Sequence, residues 1–252
     1  MTYLQFHLVF TLPAAFTLAY TGPLIRSKDG WKAIGSIGVI MLIAFAYTTP
    51  WDNYLVRTGV WGYGDGRVLG TLGHVPIEEY FFFLIQPVIT GLWFYNLLWS
   101  RGPEISQMNR NPQVIRWTGF FGLLLASVAG YVMLGQQSTR YLALILVWAA
   151  PVLALQWLYG GPTLWQYRGT MFRAIWPPTV YLWVIDRVAI GLDIWHISPV
   201  QTTGFHLFGL PIEEALFFLV TNLLVVQGTL LSMTTLKVSI FERPSPLFVT
   251  SS

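Results

Sequence analysis

Seven apolar segments, each near the length of a membrane span, dominate the chain. They are Tyr3–Tyr20, Ala33–Pro50, Val75–Trp99, Trp117–Leu134, Tyr141–Tyr159, Phe172–Leu192 and Leu210–Leu236. Lipid cannot satisfy an open backbone, so apolar segments of this length must be helices. Trp and Tyr at many of their ends suit interfacial anchoring. Only 10% of the residues are charged and 54% are hydrophobic, whereas soluble domains are about a quarter charged. The predicted fold class is all-α: a polytopic membrane protein with seven transmembrane helices. The formal charge of +3 is scattered between apolar runs and gives no argument for a nucleic-acid partner. With no cysteine, disulfides, thiol catalysis and thiolate metal sites are excluded. Met1-Thr2-Tyr3 lacks the basic region of a signal peptide, so the first span is expected to be retained.

Seven spans place alternate loops on opposite sides. The side facing away from the N-terminus receives Arg26, Lys28, Lys32, Arg101, Arg110, Arg116, Arg168, Arg173, Lys237 and Arg243. The N-terminal side receives Arg57, Arg67, Arg140 and Arg187. This bias predicts an external N-terminus and a cytoplasmic C-terminus in the cell membrane. The acids do the reverse. Asp52, Asp65, Glu78, Glu79, Asp186, Asp193, Glu213 and Glu214 fall on the N-terminal side; Asp29, Glu104 and Glu242 fall on the other. Acids contribute little to the orientation rule, so their clustering points either to a shared site at that end or to chance loop composition.

An internal repeat runs through the chain. Pro76-Ile77-Glu78-Glu79-Tyr80-Phe81-Phe82-Phe83 returns as Pro211-Ile212-Glu213-Glu214-Ala215-Leu216-Phe217-Phe218. Pro13…Tyr20-Thr21-Gly22-Pro23 resembles Pro151…Tyr159-Gly160-Gly161-Pro162. Asp52 precedes Trp61 at the interval by which Asp186 precedes Trp195. The expected organisation is two three-helix repeats, residues 1–100 and 141–252, joined by residues 101–140 with the fourth helix. One connecting span makes the repeats parallel in the membrane and starts both motifs on the same side.

The motif itself admits two readings. Proline suits a helix start, and glutamates behind it sit in the positive field of the helix N-terminus. Capping, however, tolerates many sequences, and acids at the edge of a span are costly and mark functional sites. Other chemistries lack their signatures. There is no Gly-x-Gly-x-x-Gly and no Walker loop. His7, His74, His196 and His206 form no close metal-ligand pair; His74 and His206 precede the two motifs and fit ordinary interfacial hydrogen bonding better than proton transfer. Lys237 ends the last span, against a retinal Schiff base. No metal and no cofactor are expected.

What remains is acid beside aromatic surface. Residues three and four apart share a helix face, which sets Glu78 with Phe81 and Phe82, and Glu213 with Phe217. Adjacent residues point about 100° apart, so one glutamate of each pair is expected to face a substrate. A carboxyl group in an apolar site can hold its proton, although the helix N-terminus opposes this. An aromatic face stabilises a cation. Acid plus aromatic wall is what acid-initiated olefin cyclisation needs.

The duplicated Pro-x-Glu-Glu-x-x-Phe-Phe start, in a small seven-span chain without a nucleotide motif, resembles the membrane-integral lycopene cyclases. The likeness is to the fused two-repeat form and covers nearly the whole chain. It implies lycopene and other carotenoids of the bilayer as substrates, β-ring formation at ψ end groups, and other carotenoid-biosynthesis enzymes as neighbours. It implies functional roles for Glu78, Glu79, Glu213 and Glu214, joined by Asp52 and Asp186, with Phe81, Phe82, Phe217 and Phe218 against the substrate. Alternatives left open are a cyclase of C50 carotenoids, a proton-coupled carotenoid or lipid transporter, and a prenyltransferase, the last weakened because Asp52 and Asp186 lack Asp-rich neighbours.

Overall fold

The computed structural model describes residues 1–23, 27 and 29–238. Arg26, Lys28, Glu242 and Arg243, used above in the charge count, lie outside the described residues. Each apolar segment contains helix, and most of the described chain is helical. The first runs as α1 (Tyr3–Phe6), a π-helical turn (His7–Thr11) and α2 (Leu12–Thr21). Pro13 has no N–H to give to the turn before it, which suits a widened turn there. The remaining helices are α3 (Gly30–Arg57), α4 (Ile77–Arg101), α5 (Pro112–Met133), α6 (Arg140–Gln166), α7 (Arg168–Gly191) and α8 (Ile212–Thr235). Five are long and apolar enough to cross a membrane: α3, α4, α5, α8 and the stretch Gln137–Gln166 that contains α6. The first helix is broken into short pieces, and α7 carries Arg168, Arg173, Asp186 and Arg187.

Several boundaries differ from expectation, α6 for one running on past Tyr159 to Gln166, and two differences bear on the site. The second segment does not stop at Pro50; α3 continues to Arg57 with Pro50 inside it. An internal proline costs one ladder bond, which a membrane-embedded helix tolerates when its neighbours hold it. The extension carries Asp52. At the motifs, Pro76 and Pro211 stand at the N-cap rather than in the first turn, and neither helix start has a side-chain cap. The glutamates therefore do not cap their own helices.

Three short ladders tie the acid-rich end together. β1 (Trp61–Tyr63) pairs antiparallel with β4 (Trp195–Ile197), with Gly62 opposite His196. A hairpin, β2 (Thr71–Leu72) with β3 (Val75–Pro76), leads into α4; β5 (His206–Leu207) with β6 (Leu210–Pro211) leads into α8. The second hairpin turns on Phe208 and Gly209, at φ 51° and 81°, the positive values a tight two-residue turn requires. Strands of two or three residues have no periodicity to read, which is why the sequence shows none of them.

One core cluster gathers Tyr3, Phe6, Trp61, Phe82, Tyr141, Trp148, Trp195 and Phe217 at this end. A second, around Phe94, Tyr95, Leu164 and Leu230, fills the other. Between α4, α7 and α8 lies a buried polar network. Gln86 Nε2 and Thr90 Oγ1 donate to Asn222 Oδ1 at 2.8 and 2.6 Å, and Asn222 Nδ2 donates to Thr179 Oγ1 at 2.9 Å. Interhelical hydrogen bonds in membranes contribute about 0.6–2 kcal/mol each. Asn222→Leu should therefore cost on the order of 1–3 kcal/mol, read as a lower midpoint in thermal unfolding of the detergent-solubilised protein. An unchanged midpoint would show the network to be neutral.

Candidate active site

The two glutamates of each motif point to different tasks. Glu78 Oε1 accepts the backbone N–H of Leu69 at 2.9 Å. Glu213 Oε1 accepts both the N–H and the hydroxyl of Thr203 at 2.7 Å. Each thus clasps the loop that precedes its own hairpin. Buried His7, 71 positions from Glu78 in sequence, sets Nε2 2.9 Å from the Glu78 carbonyl oxygen.

Glu79 and Glu214, one residue further on, turn inward. Glu79 Oε2 accepts the Tyr3 hydroxyl at 2.7 Å and the Tyr63 hydroxyl at 3.2 Å. Glu214 Oε1 accepts the Tyr141 hydroxyl at 2.7 Å and the Trp61 indole N–H at 3.0 Å. In both cases two donors hold one oxygen, and the other takes no hydrogen bond from the described residues. Burial first, then the neighbouring Glu79 charge, pushes the Tyr63 phenol well above its ordinary value; it is a neutral donor.

Both glutamates line one small cavity of about 20 Å³, together with Asp186, Phe82, Phe217, Phe218 and the donor rings of Tyr3, Tyr63, Trp61 and Trp195. Asp186 Oδ1 accepts the Trp195 indole N–H at 2.8 Å. Asp52 is fully buried, close enough to Glu79 and Glu214 to feel their charge, and neither of its oxygens has a hydrogen-bond partner among the described residues. The equal Asp–Trp intervals therefore have unequal outcomes: Trp195 serves its own Asp186, while Trp61 crosses to Glu214.

Phe82, Phe217 and Phe218 also form the floor of a second space, an apolar groove of about 150 Å³ between α3, α4, α6 and α8. It runs from these rings past Trp148, Val152 and Pro87 to Gln156, Leu224 and Ile40. From Phe217 to Val225 it follows roughly 12 Å of helix at 1.5 Å per residue. Trp51 stacks on Trp148 at 4.6 Å and on Phe217 at 5.7 Å between centroids. A hydrocarbon chain in this groove would bring its end to an aromatic wall with carboxyl groups behind it.

The family described as lycopene cyclase matches residues 2–98 and 139–229. The chain belongs to the lycopene cyclase family. It is 41% identical to a lycopene beta-cyclase of Halobacterium salinarum over 230 residues, which is 91% of this chain and 95% of that one. It is 38% identical over 240 residues to a bifunctional lycopene cyclase/phytoene synthase of Phaeosphaeria nodorum and 37% identical over 237 to one of Neurospora crassa; these matches cover 40% and 38% of the fungal chains. No solved structure matches. The family match passes over α5, which packs against α6 and otherwise presents an exposed surface.

Of the residues singled out in sequence, Glu79, Glu214, Asp186, Phe82, Phe217 and Phe218 meet at the cavity, with Asp52 close to Glu79 and Glu214. Glu78 and Glu213 hold loops instead. Phe81 is 41% exposed and lies edge-on to His7 rather than in the cavity. His74 is exposed, and exposed His206 sets Nδ1 2.9 Å from the Gly204 carbonyl oxygen. Sequence reasoning missed the donors Tyr3, Tyr63, Trp61, Tyr141 and Trp195. Tyr3 and Tyr141 open the first helix of each repeat, but there they read as interfacial anchors.

Proposed function

We propose that the chain is a lycopene beta-cyclase that converts lycopene through γ-carotene to β-carotene by acid–base cyclisation, with Glu79 and Glu214 as the acid–base pair. The observation that carries the assignment is convergence: one glutamate from each motif lines a single cavity at the end of an apolar groove. A ψ end group enters from the groove. One carboxylic acid gives its proton to the terminal double bond; a C–H bond forms and a tertiary cation results. The next double bond in reach attacks, closing a C–C bond and moving the charge to the ring, where the aromatic rings of Trp61, Phe217 and Phe218 that line the cavity stabilise it. The second carboxylate removes a ring proton, and the new double bond completes the β ring. Substrate and product are isomers, so the step consumes no redox equivalent. Tyr3, Tyr63, Tyr141 and Trp61 hold one oxygen of each glutamate and leave the other for the substrate.

The proposed frame is seven spans in two parallel three-helix repeats, with α5 as connector. Matched contacts support it. Tyr3 N–H donates to Arg67 O at 2.8 Å, as Tyr141 N–H donates to Gln201 O at 3.0 Å. Each motif also has its own hairpin and its own loop clasp. The basic-loop bias favours an external N-terminus and a cytoplasmic C-terminus in the cell membrane. Reporter fusions at Arg110 and Ser252 should both report cytoplasm; an external signal at Ser252 contradicts the seven-span frame.

Expression in a lycopene-accumulating cell tests the activity, with a shift from red to orange-yellow expected. Unchanged pigment with good expression would favour a transporter. With both glutamates at a single cavity, the two ends must be treated in turn, so γ-carotene should rise and fall before β-carotene in a time course. Simultaneous appearance of two-ring product without the intermediate would contradict a single site.

A further inference from the structure

A second groove runs down another face of the bundle, between α2, α4 and α7, remote from the glutamates. Its deep part is apolar, lined by Leu18, Ile89, Pro178 and Tyr181. Trp93 and Pro177 belong both to this part and to a wider cup at the end of α4 and the start of α7. The cup is built differently. Arg101 and Arg173 line it with Phe172 and Trp176. Arg173 pairs with Glu104 through one guanidinium nitrogen, while its Nε is buried without a hydrogen-bond partner among the described residues. The Trp93 indole N–H is likewise buried, with no partner among the described residues. Arg101 has no ion pair among the described residues.

Two arginines against one glutamate leave this cup positive, and buried N–H groups without acceptors are costly unless a ligand satisfies them. A carotenoid hydrocarbon has no atom for them. A ligand that fits both parts has an anionic, acceptor-rich head and a long apolar tail. We propose that this groove is a binding site for an anionic phospholipid, its phosphate at Arg101 and Arg173 and an acyl chain running past Trp93 along Ile89 and Leu18. Planar guanidinium groups suit phosphate oxygens, and a basic cup at the end of a span is where an anionic headgroup lies.

Native mass spectrometry of the delipidated full chain in detergent tests this, titrated with phosphatidylglycerol, phosphatidylcholine of the same chains, or inorganic phosphate. One phosphatidylglycerol should be retained at roughly tenfold lower concentration than phosphatidylcholine. The Arg101→Gln/Arg173→Gln double variant should lose that preference, and Arg101→Lys/Arg173→Lys should keep most of it. Trp93→Phe, which keeps the ring and removes the N–H, should weaken retention severalfold. Equal binding of the two lipids by the native chain overturns the proposal, as does an unchanged preference in the glutamine variant. Should that variant not accumulate, Trp93→Phe decides: retention equal to the native chain overturns the proposal. Displacement by inorganic phosphate would reduce the site to an anion site, and displacement by equimolar lycopene would make the groove a substrate path; either result overturns the lipid assignment.

Discussion

Glu79→Gln and Glu214→Gln should each abolish ring formation, by on the order of 10²-fold or more, with the protein accumulating normally. Glutamine keeps the size of the side chain and an oxygen that can accept the Tyr3 and Tyr63 or Tyr141 and Trp61 donors. What it removes is the titratable proton. Glu78→Gln and Glu213→Gln are the controls. Their oxygens hold Leu69 and Thr203 in the loops, and an amide can still accept there, so stability should fall by about 1 kcal/mol or less and activity should persist. Product analysis of the four single variants separates the roles. Four active variants would end the acid–base account. Inactivity confined to one repeat would demote the other glutamate to scaffold, and a variant that forms γ-carotene at the native rate but no β-carotene would show the two substrate ends handled at different places.

Filling the groove should be nearly as damaging, but through binding. Ala44 lines the groove on α3, opposite the aromatic floor. Ala44→Trp sets an indole where the polyene must lie. Overpacking of this kind costs about 1–3 kcal/mol, and at about 1.4 kcal/mol per decade the loss in kcat/KM should be roughly tenfold to hundredfold. The acid cluster is untouched, so the loss should appear chiefly in KM, whereas Glu79→Gln and Glu214→Gln act on kcat. An Ala44→Trp enzyme with native KM for lycopene would show that the substrate reaches the cavity by another route.

The helices were legible because lipid leaves the backbone no alternative, and the motifs because a repeated Pro-Ile-Glu-Glu is rare outside duplication. The facing of the motif was not. Spacing set Glu78 with Phe81 and Phe82, but the same three-and-four rule works from the neighbouring residue, joining Glu79 to Phe82 and Glu214 to Phe217 and Phe218. Both sides of α4 are apolar in this stretch, so composition cannot fix the helix's rotation. Packing and the hairpin before the helix fix it. The donor set was hidden for another reason. Tyr3 lies 76 positions from Glu79, Tyr141 lies 73 from Glu214, and Trp61 lies 153 from Glu214. No local pattern reports such contacts. Asp52 was named from its interval to Trp61, yet the Trp61 N–H goes to Glu214, so the interval located the residues without giving their partners.

The central claim is that one end group reacts at one cavity built from both motifs. A structure of the protein with bound lycopene, or with an analogue whose terminal double bond is saturated, tests it most directly. The account predicts the end group in contact with both the Glu79 and Glu214 carboxyls, and the polyene passing Phe82, Phe217 and Trp148 toward Gln156. An end group seated between α2, α4 and α7, away from both glutamates, would contradict it.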